Sequence, residues 1–64
     1  MKFIEVKDSR GNDALIDPFS IHAVRQMVDD NEKITIIYFN NNVLELSESY
    51  EQVKHKLEEC FKNF

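Results

Sequence analysis

The sequence predicts an α+β fold: a small antiparallel sheet of three to five strands, built from two hairpins, with one C-terminal amphipathic helix packed on one face. Three observations predict it. Residues 33–39 read Lys-Ile-Thr-Ile-Ile-Tyr-Phe, a dense run of strand formers. Turn residues divide shorter apolar runs around Gly11 and around Asn40, Asn41 and Asn42. From Ser49 onward, apolar residues recur every three or four positions, the period of a helix. The 64 residues make one domain, 1–64, with the helix covering about 49–63.

The elements follow in order. In Lys2–Asp8, Ile4 and Val6 alternate with Glu5 and Lys7, the pattern of a half-buried strand. Ser9, Arg10, Gly11 and Asn12 form a turn, with Gly11 placed where a positive φ is needed. Ala14–Ile16 resumes the strand and completes a hairpin. Asp17 and Pro18 stop it, because proline cannot donate to a ladder. Ile21 and Val24 are expected to dip into the core from a short irregular segment or single turn, and Val24–Val28 to form another strand. Asp29–Glu32 reads as an acidic loop.

Lys33–Phe39 is the central strand, followed by an asparagine turn and a return strand, Val43–Leu46, with Leu44 and Leu46 on one face. Ser49 and Gln52 have the spacing of a capping box. Tyr50, Val53, Leu57, Phe61 and Phe64 then make one apolar stripe, and Tyr50, Val53, Leu57 and Phe61 are expected to pack on the sheet.

Composition narrows the function classes. A domain this short buries only about 60% of its unfolded surface, so its core is marginal without support. Cys60 is the only cysteine, which excludes an internal disulfide and fits a reducing compartment. Oligomerisation is the remaining common support. The net charge of −4, from 12 acidic and 8 basic residues, offers no attraction to phosphate backbones or anionic lipid. No run resembles a signal peptide or the roughly 20 apolar residues of a membrane span. The expected location is cytoplasmic, in a bacterium or one infected by a phage.

The central strand carries the functional expectation. Ile34, Ile36 and Tyr38 share one face, and Thr35, Ile37 and Phe39 the other. A one-sided sheet should alternate apolar and polar, and this strand is apolar on both faces. The helix is expected to cover Ile34, Ile36 and Tyr38. Thr35, Ile37 and Phe39 then form the face that meets a second copy or another protein. Arg10 and Asn12, at the tip of the first hairpin, make a candidate binding loop, in which Arg10 would grip a carboxylate or phosphate.

Other motifs give way to plainer readings. His22 and His55 have no ligand at metal-binding spacing. The acidic stretch at 29–32 lacks the glycine and distal glutamate of a calcium loop. Cys60, beside Phe61 at the edge of the apolar stripe, reads as a small half-buried core residue rather than a nucleophile. No catalytic dyad, phosphate loop or nucleophile elbow is visible, so no enzymatic activity, cofactor or metal is expected. The basic residues are scattered, so DNA is not an expected partner.

The order of features resembles a known family. Ile21-His22-Ala23-Val24 follows a short hairpin, and Leu44-Glu45-Leu46-Ser47-Glu48-Ser49 leads from an asparagine turn into a helix. This resembles the small flagellar-operon proteins of the FlbD type over nearly the whole chain. Those usually carry Asn-Gly at the second hairpin, where this chain has Asn41-Asn42. The pattern is also similar to the first part of LytTR-type DNA-binding domains. The basic stretch and further strands that follow the helix in those domains have no counterpart before Phe64, so the resemblance does not carry DNA binding across. The expected function is that of a small non-enzymatic binding or adaptor protein acting as a homo-oligomer. The alternatives are a LytTR-like transcription regulator, and a phage accessory protein that inhibits host defence or sequesters a small nucleotide-like ligand.

Overall fold

A computed structural model of the chain describes residues 2–62. β1 (Ile4–Lys7) and β2 (Asp13–Ile16) form an antiparallel hairpin, with Ile4 opposite Ile16 and Lys7 opposite Asp13. Gly11 supplies the left-handed residue of its turn, at φ 84°. A 3-10 turn, Pro18–Ser20, leads away from the hairpin. The Asp17 carboxylate caps it by accepting from the Phe19 amide at 3.0 Å.

β3 (Ile21–Asp29), β4 (Glu32–Phe39) and β5 (Asn42–Leu46) form an antiparallel meander in that order. Both connections are two-residue turns in the left-handed region: Asp30 and Asn31 at φ 50° and 64°, Asn40 and Asn41 at 46° and 64°. Such turns match the twist of the flanking strands, and Asp and Asn tolerate the conformation better than other non-glycine residues. The acidic stretch is therefore a tight hairpin turn and not a loop. Residues 21–29 form one long strand rather than an irregular segment and a short strand. The irregularity is confined to a register shift between Ile21 and Ala23, leaving His22 as a bulge.

The two sheets meet along one seam. Asp8 bridges to Leu46, the Ser9 amide donates to the Glu45 carbonyl at 2.9 Å, and the Ser47 amide donates to the Lys7 carbonyl at 3.0 Å. The first hairpin thus folds over from the β5 edge.

α1 (Tyr50–Lys62) starts at the expected capping box. The Gln52 amide donates to Ser49 Oγ at 3.1 Å, and the Ser49 amide donates to Gln52 Oε1 at 2.8 Å. Glu48, just before the helix, is a clamp. Its Oε1 accepts from the Lys7 amide at 2.8 Å, and its Oε2 pairs with Lys56 Nζ at 2.5 Å. Lys56 in turn donates to the Glu5 carbonyl at 2.6 Å, so one carboxylate and one ammonium tie α1 to β1.

The core consists of Ile4, Val6, Ile16, Ile37, Leu46, Val53 and Cys60, with Ala14, Ile21, Val24, Phe39, Leu44 and Leu57 packed around it. Two expectations need correction. First, the helix stripe is rotated. Val53 and Cys60 are its buried centre, and Leu57 and Tyr50 are half-buried beside them. Phe61 is 43% exposed and meets Phe19 edge-on, with ring centroids 5.3 Å apart. Phe64 lies outside the described residues.

Second, the faces of β4 are reversed. Ile37 is fully buried and Thr35 is 3% exposed, with Phe39 packed beside them. This face meets the first hairpin and the helix of its own chain. Thr35, Ile37 and Phe39 are therefore not a surface for a second copy. The physical reason lies in β5: Thr35 pairs with Leu46 and Ile37 with Leu44. Paired side chains point to the same side of a sheet, so the two leucines pull Thr35 and Ile37 into the core.

Candidate functional site

Reversing β4 turns Ile34, Ile36 and Tyr38 outward. The register of the meander then fixes their companions. Tyr38 pairs with Ala23 on β3 and Val43 on β5; Ile36 pairs with Arg25 and Glu45; Ile34 pairs with Met27. The outer face is thus a central apolar column, Ile34-Ile36-Tyr38, with Ala23, Met27 and Val43 extending it sideways. Among the described residues, none of these six belongs to the core cluster or packs against it. Met27 is 39% exposed and Val43 62%, while the β4 column is half-buried by its sheet neighbours alone.

The register puts four charged residues on this face: Arg25 and Glu45 in its middle row, and Asp29 opposite Glu32 at its turn end. Arg25 and Glu45 flank Ile36 from opposite sides, on β3 and β5. Arg25 is steadied by its neighbour: its Nη1 donates to the Tyr38 hydroxyl at 3.3 Å across the diagonal. An exposed apolar sheet face with ordered charges differs from scattered surface apolar residues, which need no explanation.

The first hairpin tip is arranged differently. The Asp8 carboxylate accepts from the Arg10 and Asn12 amides, each at 2.9 Å, and the Gly11 amide donates to the Asp8 carbonyl. These contacts, the Asn12 amide first, hold the Asp8 carboxyl below its usual range. The backbone of this turn is satisfied internally. The Arg10 and Asn12 side chains remain exposed at its tip, which is joined to the β5 edge of the meander: the Ser9 amide, next to Arg10, donates to the Glu45 carbonyl at 2.9 Å.

Two grooves flank the helix. One of about 600 Å³ lies between the start of β1 and α1, where Lys2, Glu5, His55 and Glu59 mix both signs of charge above buried Cys60. The other, about 430 Å³, lies between Val24 and the Tyr50, Leu57 and Phe61 side of α1. Neither gathers polar groups of one kind toward a point. Among the described residues, no group of three or more His, Cys, Asp or Glu side chains is placed to hold a metal ion. No helix there is long and apolar enough to cross a membrane.

The sequence held the signal for the outer face. Leu44 and Leu46 alternate with Val43 and Glu45, and a two-residue turn at Asn40 and Asn41 sets the pairing with β4. Following that register back across the turn identifies which side of β4 is buried.

Compared with models of protein families, with curated proteins and with solved structures, the chain matches none.

Proposed function

We propose that this chain is a small non-enzymatic binding protein that acts as a homo-oligomer and uses the outer face of the β3–β4–β5 meander for protein recognition. The observation that supports this is the apolar column Ile34-Ile36-Tyr38, left outside the core and bordered by Arg25 and Glu45. Burying a large apolar side chain contributes about 1.5–3 kcal/mol. For a chain with so small a core, covering this face adds substantially to stability. The proposal places the protein in a reducing cytoplasm, bacterial or phage-infected, which fits a buried free thiol at Cys60. Membership of the FlbD-type group is part of the same proposal and rests on residues 21–24 and 44–49 alone.

Sedimentation equilibrium at micromolar concentration tests it. The expected result is a species heavier than the 7.6 kDa monomer. Ile36→Lys should return it to the monomer while the circular dichroism spectrum is retained. Oligomers unaffected by Ile36→Lys would remove the outer face from the proposal. A monomer at every concentration would remove the homo-oligomer.

A further inference from the structure

We infer that the outer face of the meander docks against the same face of a second copy, about a two-fold axis parallel to β4, so that Arg25 of each chain meets the partner's Glu45. This rests on the proposal that the face serves recognition, and it names the occupant and the geometry.

The inference follows from the order of charges. On each chain the middle row reads Arg25, Ile36, Glu45 across the three strands. When two sheets pack face to face with their strands aligned, about 10 Å apart, two kinds of two-fold axis are available. An axis perpendicular to the strands lays β3 on β3 and β5 on β5. Through the middle row, Arg25 then faces the partner's Arg25, and Glu45 faces the partner's Glu45; through the Met27–Ile34 row, Arg25 faces the partner's Asp29, but Ile36 falls on the partner's Glu32 and Tyr38 runs past the end of the sheet. An axis parallel to β4 lays β3 on β5. Arg25 then faces the partner's Glu45 twice over, Ile36 stacks on the partner's Ile36 at the centre, and the one like-charge contact is Glu32 with the partner's Glu32 at the exposed turn end of the column. The neighbouring row agrees in shape: small Ala23 lies over the partner's Val43, with Tyr38 on the axis. A closed two-fold of this kind uses one surface patch on both chains, the commonest solution for a homo-oligomer.

The size of the face sets the strength. Three strands of nine, eight and five residues, about 3.3 Å per residue and about 4.8 Å apart, outline roughly 350 Å². That is below the roughly 800 Å² per partner of a standard interface, so the dimer is reversible. The Arg25 and Glu45 pairs lie at its rim, where ion pairs select orientation more than they add affinity. Edge pairing of β3 with the partner's β3 is the competing dimer, and it leaves Glu45 without a role.

Three preparations and one mixture decide between these arrangements. Arg25 and Glu45 are both exposed, so Arg25→Glu and Glu45→Arg should each keep the fold, as checked by circular dichroism. By sedimentation at low ionic strength, the wild-type chain dimerises reversibly over the micromolar range. Each single variant alone should dimerise at least tenfold more weakly, because like charges then meet at both rims. An equimolar mixture of the two variants should regain wild-type affinity, because the heterodimer has one native Arg25–Glu45 pair and one pair with its signs exchanged. A perpendicular axis, through whichever row, predicts no loss in Glu45→Arg. Edge pairing predicts no effect of Glu45→Arg and no rescue in the mixture. Either pattern overturns the inference while leaving the outer face, tested separately by Ile36→Lys, as a recognition surface. A monomeric wild-type chain overturns both.

Discussion

Ile36 and Ile37 are adjacent on β4 and point to opposite sides of the sheet, so the same truncation at each should have very different costs. Ile37 is fully buried within the core cluster, whereas Ile36 is half-buried on the outer face. Ile→Ala removes the same atoms and the same strand propensity at both positions, so intrinsic preference cancels in the comparison. At Ile37 the loss combines transfer and cavity terms, about 2–5 kcal/mol. A 64-residue domain has roughly 3–10 kcal/mol in total. A loss of about 3 kcal/mol would lower the melting temperature by about 12–24 °C in a domain of this size. At Ile36 the loss in the monomer should stay below about 1.5 kcal/mol, since much of the side chain is already in water. The assay is urea denaturation well below micromolar concentration, where association does not contribute. Should Ile37→Ala fail to fold, Ile37→Val, at about 0.5–1.5 kcal/mol, keeps the comparison measurable against Ile36→Val. Equal losses at the two positions would refute the assignment of faces.

Further outcomes follow from the clamp, the first turn and the charge. Glu48→Ala leaves the Lys7 amide without its acceptor and Lys56 with the Glu5 carbonyl but no carboxylate, and should cost about 1–2 kcal/mol after allowance for partial exposure, measured by chemical denaturation. Asp8 is held below its usual carboxylate pKa of 3.8 in the folded chain. Its contribution is therefore present above that pH and is lost as pH falls below it, and Asp8→Asn should flatten the acid limb of a stability–pH curve. Lys7 is raised above 10.5, chiefly by its hydrogen bond to Asp13, so its contribution persists below that pH and is lost above it; Asp13→Asn should reduce the fall in stability on the alkaline side. With a net charge of −4, the chain should give no sequence-selective duplex-DNA complex in gel shift at physiological salt; a nanomolar complex would contradict this.

The elements were legible in the sequence because each has a local signature. Ser49 and Gln52 marked the helix start, and the capping box forms as that spacing requires. Gly11 and the asparagines marked two of the turns. The turn at Asp30 and Asn31 has no such mark, because an acidic cluster looks like a solvated segment until its neighbours are known to pair. The sidedness of β4 was not local. Both of its faces are apolar, and nothing within the strand says which of them is buried. What decided it was the pairing with Leu44 and Leu46, a relation between strands. The helix phase is non-local in the same sense. Phe61 is the larger side chain, but small Cys60 fits the centre of a tightly closed core. The candidate surface moved with β4, from Thr35, Ile37 and Phe39 to the residues behind them.

The seam between the first hairpin and β5 also orders the events of folding. The meander is made of neighbouring strands joined by two-residue turns, and such hairpins close in roughly 1–10 μs. The Asp8–Leu46 bridge and the bond from Lys56 to the Glu5 carbonyl instead join the two ends of the chain. Closing so long a loop must be met by contacts made at the same moment, and here those contacts are Ile4, Val6 and Ile16 landing on Ile37. The rate-limiting step should therefore be the arrival of the first hairpin and the helix on a meander already formed. Substitutions in the turn at Asn40 and Asn41 should slow folding, and substitutions at Glu48 should mainly speed unfolding.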